Sequence, residues 1–161
     1  LIEEIIKKYD NKNISKKISE RIYINGRKNL IQRCMNNLID NGFLPIISPM
    51  ALANDSINQI YNTNADTAAG VIAKELSADN IIFQTDVPGV FDSNRRVIPQ
   101  MTKNQALDLI QSGIVQGGMI PKIKSCIDAL NSVNVGRIID GRDSGALLSA
   151  FTNGNIGTRI V

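Results

Sequence analysis

Asn80-Ile81-Ile82-Phe83-Gln84-Thr85 (NIIFQT) decides the fold of this chain. Three large apolar residues in succession do not fit a strand with one wet face. They fit a strand covered on both sides. Working outward, Phe43 to Ser48 (FLPIIS) and Gly136 to Asp140 (GRIID) have the same character, and Thr158 to Val161 reads as a last strand. Segments of helical period lie between them. Leu30, Ile31, Cys34, Leu38 and Ile39 recur at 3.6-residue spacing, with Asn25 as N-cap and Gly42 at the C′ position. Ala65 to Leu76 and Met119 to Val133 are further helices. Thr102 and Gln105 form a capping box for a helix that stops at Gly113, and Ala146 to Phe151 is a short helix. Pro49 to Ile60 reads as a loop. Upstream, residues 2–9 read as a helix end, Asn11 to Ser19 as a loop and Arg21 to Ile24 as a short strand. Strands alternating with helices predict an α/β protein, a mostly parallel sheet sandwiched between helices in three layers.

Composition narrows the chemistry. The chain has 161 residues, about one domain, with 43% apolar and 20% charged residues, which excludes disordered and collagen-like classes. No apolar run approaches the roughly 18 residues of a membrane span, so no membrane partner is expected. His is absent, which removes His acid–base chemistry, His metal ligands and Ser-His-Asp triads. Aromatics are 4% with no Trp, a poor supply for stacking single-stranded nucleic acid. The net charge of +3 gathers in the first quarter, without a recognition element, and reads as a solvated basic face; no nucleic-acid partner is expected. Cys34 and Cys126 have no metal-ligand or disulfide spacing and read as buried structural thiols of a reducing compartment. The chain opens at Leu1 with no Met and no signal pattern, and reads as a processed or excerpted piece.

Ligands of such sheets bind where strands end, which selects three segments. In Tyr61-Asn62-Thr63-Asn64-Ala65-Asp66, polar residues fall at every second position and would share one face of an extended chain. Asn64 or Asp66 could equally cap the following helix, or Asn could donate to a carboxylate ligand and Asp orient a cation. Thr85-Asp86-Val87-Pro88-Gly89-Val90 follows a strand and is either a nucleotide contact or a plain Pro-Gly turn. In Ile114-Val115-Gln116-Gly117-Gly118-Met119-Ile120-Pro121-Lys122, two glycines precede a helix with Lys in its first turn. Exposed N–H groups, the helix dipole and that Lys would make an anion site. The plain alternative is an exposed Lys near a loop; a first-turn Lys opposes the dipole, which tilts the reading mildly to a bound anion. No acidic cluster has metal-ligand spacing, so no protein-held metal is expected.

NADTAAG (64–70), TDVPGVFD (85–92), GGMIPK (117–122), IIDGR (138–142) and GTRIV (157–161), in this order, resemble the N-acetylglutamate kinases of the amino acid kinase superfamily, from about Glu20 onward. The resemblance implies transfer of the γ-phosphoryl group of ATP to the γ-carboxylate of N-acetyl-L-glutamate, an early step of arginine biosynthesis. It implies that Asn62 and Asn64 contact the acyl substrate, that Asp66 holds the catalytic lysines, and that Lys122 is the transition-state lysine. Asp86 to Val90, with Thr85, and Ile114 to Gln116 would wall the adenine and ribose, with Gly117 and Gly118 beside the phosphates. Mg²⁺ would travel on ATP. It further implies a homo-oligomer when complete, a PII-type nitrogen-signalling protein as a candidate partner, and a cytoplasmic or plastid-stroma location.

Relatives also carry an upstream strand, Gly-rich loops, a second Lys and a substrate-gripping Arg, none of which is recognisable here. Residues 1–77 therefore read as the tail of the amino-acid-substrate lobe and 78–161 as the nucleotide-binding lobe. The His and Glu of the arginine-inhibited pattern are absent between Arg142 and Thr152, and Arg142 and Arg159 would repel a cation, so weak or no inhibition by arginine is expected. Two alternatives stay open: a non-catalytic nucleotide-binding or interaction fragment, and another acyl-phosphate-forming amino acid kinase.

Overall fold

The computed structural model describes residues 28–52, 60–152 and 155–161. The expected helix at 2–9, loop at 11–19, strand at 21–24 and Asn25 cap lie outside the described residues.

Helix α1 spans Lys28–Asp40. It ends as Gly42 predicts: Gly42 (φ +77°) donates to the Ile39 carbonyl at 2.8 Å and Phe43 to that of Leu38 at 2.9 Å, a Schellman pair. The next stretch departs from expectation. Residues 43–48 form no strand, and Leu44 is 87% exposed. A run of apolar residues becomes a buried strand only beside neighbours that accept its hydrogen bonds, and no described strand pairs with it. The strands here are β1, Met50–Leu52, inside the expected loop, and β2, Ile60–Asn62, which starts at its end and runs into the stretch read as extended; the two form an antiparallel ribbon.

Helix α2 is Ala65–Glu75, followed by β3, Asn80–Thr85; β4, Gln100–Met101; α3, Lys103–Gln111; α4, Met119–Ala129; β5, Val135–Asp140; α5, Ala146–Thr152; and β6, Thr158–Ile160. The capping box of α3 is present, with Gln105 N donating to Thr102 and Thr102 N donating to the Gln105 side chain at 2.8 Å. Helix α4 stops four residues earlier than its apolar spacing suggests. Ser132 and Val133 both turn their N–H groups onto the Ala129 carbonyl, which swings Val133 into the core.

The four-stranded sheet has the order β3-β5-β6-β4. The pairs β3–β5 and β4–β6 are parallel, while β5–β6 is antiparallel. Alternation along β5 sends side chains to two helical layers. Ile138 joins Ile81, Phe83, Ile123, Cys126, Ile127 and Ile160 in the main core under α4. Ile139 packs with Ala146 and Ala150 of α5 on the opposite face. The result is the expected mostly parallel, three-layer α/β arrangement.

Helices α2 and α4 cross closely. A Cβ on Gly70 would stand 2.9 Å from Ser125 Cβ, so the small residues of α2 serve backbone contact between helices.

Candidate active site

Helix α2 leads into β3 and α4 leads into β5, and each helix runs back along the sheet. Their N-termini therefore lie where the parallel pair β3–β5 ends. At that edge Gly141 N donates to the Thr85 carbonyl at 2.7 Å, joining the loops after the two strands.

Asp66 lies in the first turn of α2, where its charge suits the helix dipole. Lys122 lies in the first turn of α4, where its charge does not. The two meet across the helix crossing. Lys122 Nζ donates to both Asp66 carboxylate oxygens at 2.9 Å, and each side chain is 19% exposed. Nζ also sits 5.8 Å from the centroid of the Phe83 ring, within cation–π range. The cost of a first-turn Lys, taken from sequence as a sign of a bound anion, is offset by this carboxylate instead. Below the pair, burial and then the Asp66 charge push the Cys126 thiol up to about 12, so it stays neutral.

The glycine turn before α4 is less rich in donors than its sequence suggests. Met119 N and Ile120 N turn back to the Gln116 and Gly117 carbonyls at 3.4 and 3.2 Å, and Pro121 has no N–H. Gly117 and Gly118 do face open space, since a Cβ on either meets nothing within 4 Å. Lys122 is therefore the charge at this turn, and the helix N-terminus contributes little beyond its dipole.

Asn62, Asn64 and Asp66 do not share an extended face. Asn62 ends β2, exposed; Asn64 is the N-cap of α2, and Asp66 is already helical. The Asn64 Oδ1 accepts from Thr67 N at 2.9 Å and from Thr67 Oγ1 at 3.2 Å, which ends the extended run at the cap. The cap leaves its carboxamide nitrogen unused.

The segment after β3 is split by burial. Asp86 and Pro88 are exposed, Thr85 and Val87 half-buried, and Gly89 and Val90 buried. Thr85 Oγ1 donates to Asp86 Oδ1 at 3.2 Å. Ile114, Gln116, Gly117 and Gly118 are exposed, while the Val115 side chain is in the core. Val90 and Val115 can thus offer a ligand no more than a backbone carbonyl, since their N–H groups donate to Thr158 Oγ1 and to the Leu109 carbonyl. Ile114 lines a cleft of about 420 Å³ with Ile98, Met101 and Leu109.

Three features escaped sequence reasoning. Phe83 looks like any core residue of NIIFQT until Lys122 is placed over it. Arg142 pairs with Asp140 at 2.7 Å, so its charge is balanced rather than free to repel a cation. The Thr158 hydroxyl is fully buried against the 86–90 segment. Of the thiols, Cys126 is buried as expected but Cys34 is only half-buried. Among the described residues no three His, Cys, Asp or Glu side chains gather as a metal site, and no helix is long and apolar enough to cross a membrane.

The chain is 46% identical over 126 residues to the acetylglutamate kinase of Helicobacter hepaticus, covering 77% of this chain and 45% of that one. It thus spans less than half the length of that relative. Among solved structures it superposes on N-acetylglutamate synthase from Neisseria gonorrhoeae complexed with coenzyme A and L-arginine (TM-score 0.71, 22% identity, 80% of this chain and 30% of that one). It also superposes on carbamate kinase from Giardia lamblia bound to AMP-PNP (TM-score 0.60, 24% identity, 81% and 44%). Those two likenesses speak to the fold. The model of the amino acid kinase family matches residues 5–140, so the likeness begins well before the Glu20 suggested by the motifs. Matched over most of its length, this chain belongs to the amino acid kinase family.

Proposed function

We propose that this chain forms the nucleotide side, and part of the acyl side, of an ATP-dependent kinase acting on the γ-carboxylate of N-acetyl-L-glutamate. The observation that carries the reading is the Lys122–Asp66 pair at the ends of β3 and β5. Its support is the 46% identity to a curated acetylglutamate kinase.

In this reading a γ-carboxylate oxygen attacks the γ-phosphorus of ATP. The new O–P bond gives an acyl phosphate, and the bond to the β–γ bridging oxygen breaks to release ADP. The carboxylate is already ionised at neutral pH, so no base is required and the absence of His is no obstacle. Such transfers rest on positioning and charge stabilisation. Lys122 acts as the point charge on the moving phosphoryl group. Asp66 holds its ammonium in place, and Phe83 supports it from below. Asn62 and the free carboxamide end of Asn64 face the acyl substrate. Thr85 to Val90 and Ile114 to Gly118 face the nucleotide, with Val90 and Val115 contributing backbone only. Mg²⁺, brought on the ATP oxygens, would screen phosphate charge.

The lobe boundary falls at Ser77-Ala78, between the β1–β2 ribbon and the four-stranded sheet, with α2 packed across it onto α4. The complete enzyme is a cytoplasmic or plastid homo-oligomer of arginine biosynthesis, with a PII-type signalling protein as candidate partner.

The test is hydroxylamine trapping of acyl phosphate by the complete polypeptide. Formation from N-acetyl-L-glutamate and ATP is expected. Lys122→Ala should lower kcat by about 10²–10³, the range for losing one preorganised charge. A change confined to the KM for ATP would reduce Lys122 to a binding residue. No acyl phosphate from the wild type overturns the reading.

A further inference from the structure

The segment after β3 returns as a short hairpin, with Phe91 bridging Val97 and Arg95 in the left-handed region at its tip. At the base of that hairpin Val90 faces Ile98. Val90 and Ile98 occupy a hydrogen-bonded position of the antiparallel pair, where facing residues ordinarily exchange two direct N–H···O bonds. Here one is direct, from Ile98 N to the Val90 carbonyl at 2.8 Å. The other is interrupted. Val90 N donates to Thr158 Oγ1 at 2.8 Å, and Thr158 Oγ1 donates to the Ile98 carbonyl at 2.7 Å. A hydroxyl from β6 is thus inserted into the ladder and holds the hairpin base apart.

The insertion is built rather than incidental. Thr158 is 0% exposed, and its backbone is fixed by pairing with Ile138 of the central strand. Its hydroxyl uses its donor and one of its two acceptor positions to satisfy the buried Val90 N–H and the part-buried Ile98 carbonyl. Gly89 rests directly on it: a Cβ there would stand 2.7 Å from Thr158 Oγ1 and 2.9 Å from Val97 Cγ1. The end of the 86–90 segment, Gly89 and Val90, therefore rests on this side chain, alongside Val97 and Ile98.

We propose that Thr158 is a positioning residue for the nucleotide: it sets where the Asp86–Val90 backbone stands, and so how the chain grips the adenosine end of ATP, without touching ATP itself. The inference rests on the kinase reading above. Without the hydroxyl, Val90 N–H and the Ile98 carbonyl must either stay unpaired or close on each other, and either outcome moves the segment. The acyl-substrate side, carried by β2 and the start of α2, has no part in this contact.

The experiment compares wild type, Thr158→Ser and Thr158→Val in the complete polypeptide. It reads the Kd for Mg-ATP by calorimetry, steady-state kcat, both KM values and the exchange rate of the Val90 amide. Thr158→Val removes both hydroxyl bonds and should raise Kd and KM for ATP about tenfold. Its kcat at saturation and the KM for the acyl substrate should stay within about twofold, and the Val90 amide should lose protection. Thr158→Ser, which keeps the hydroxyl, should restore ATP binding and amide protection. Thr158→Ala, measured at low temperature, takes the place of valine if that variant does not fold. A folded valine or alanine variant with wild-type ATP binding overturns the inference, as does a serine variant as defective as valine. A loss in kcat alone overturns it too. Wild type that binds no nucleotide overturns the kinase reading, and the inference with it.

Discussion

Residues 43–62 and residues 78–140 are both rich in Ile, Leu and Val, yet they meet opposite fates. In the second region Ile81, Ile123, Ile127 and Ile138 are buried in one core beneath α4. In the first, Leu44, Ile46, Ile47, Met50, Ile60 and Tyr61 all stand exposed. Hydropathy does not separate FLPIIS from GRIID. What separates them is whether a strand lies alongside. β5 has β3 on one side and β6 on the other, while residues 43–48 have no described neighbour. An apolar run states a demand for a partner, and among the described residues FLPIIS has none while GRIID has two.

The comparison is broken most sharply by two like substitutions. Ile138→Ala removes methylenes from a site with no exposure and should cost about 2–5 kcal/mol, the transfer term plus a cavity. Leu44→Ala, on a side chain 87% exposed, should change stability by less than about 0.5 kcal/mol. Urea unfolding of the 161-residue chain reads both. A cost for Leu44→Ala near that of Ile138→Ala would mean that the first region has found a partner, most simply a second copy.

Next in size is the joint between the regions, the Asp66–Lys122 pair. It is neither a surface ion pair, worth under about 1 kcal/mol, nor a fully buried one, whose breaking costs about 3–5 kcal/mol. A double-mutant cycle with Asp66→Asn and Lys122→Met should give a coupling of about 1–2 kcal/mol. A coupling near zero would remove the pair from the forces holding α2 against α4.

How much of this was legible depended on range. Gly42, the Thr102–Gln105 box and the strands at 80–85 and 136–140 announce themselves because the cause lies within a few residues. The β1–β2 ribbon and the two-residue β4 do not, because their partners decide them: Met101 is a strand residue only because β6 lies beside it. The site divides the same way. Lys122 behind two glycines is visible locally, and the family resemblance pointed to Asp66. That the carboxylate would meet the ammonium 56 residues on, over Phe83, is set by the close crossing at Gly70. The Thr158 hydroxyl, 68 residues from the Val90 amide it holds, left no local trace beyond a Gly-Thr dipeptide.

The two thiols sharpen the comparison chemically. Cys34 of α1 is half-buried and Cys126 of α4 is buried. With a thiol-reactive disulfide at pH 8, one equivalent should react fast and the second only at the rate of unfolding. Burial raises the Cys126 value from 9.0 to about 12, so the folded state holds that proton more tightly than the unfolded chain. Stability from this group is complete below pH 9 and is lost as pH rises toward 12. Cys126→Ala should flatten that alkaline limb, whereas Cys34→Ala should leave it unchanged. Equal reactivity of the two thiols in the native protein would show α4 to be far more open than its packing against Gly136 allows.

The smallest effect lies at the end of an inner strand, where Asp140 ends β5. The Arg142 guanidinium donates to both Asp140 carboxylate oxygens, at 2.9 and 2.7 Å, and the Arg142 amide adds a third bond at 3.0 Å. These bonds, the side-chain ones first, hold the carboxyl down from about 3.8 to about 2. The sign follows: the ionised form belongs to the folded state, so its contribution is present above about pH 4 and fades as pH falls toward 2. Arg142→Gln removes the guanidinium donors and keeps the backbone one. The Asp140 value should therefore rise part of the way back, and the acid limb of stability should move slightly upward in pH. Carboxyl chemical shifts followed by NMR from pH 6 to pH 1.5 measure this directly. An unchanged Asp140 titration would mean that the amide alone sets the value, and that the Arg142 side chain is free to turn toward Asp86 and whatever binds beside it.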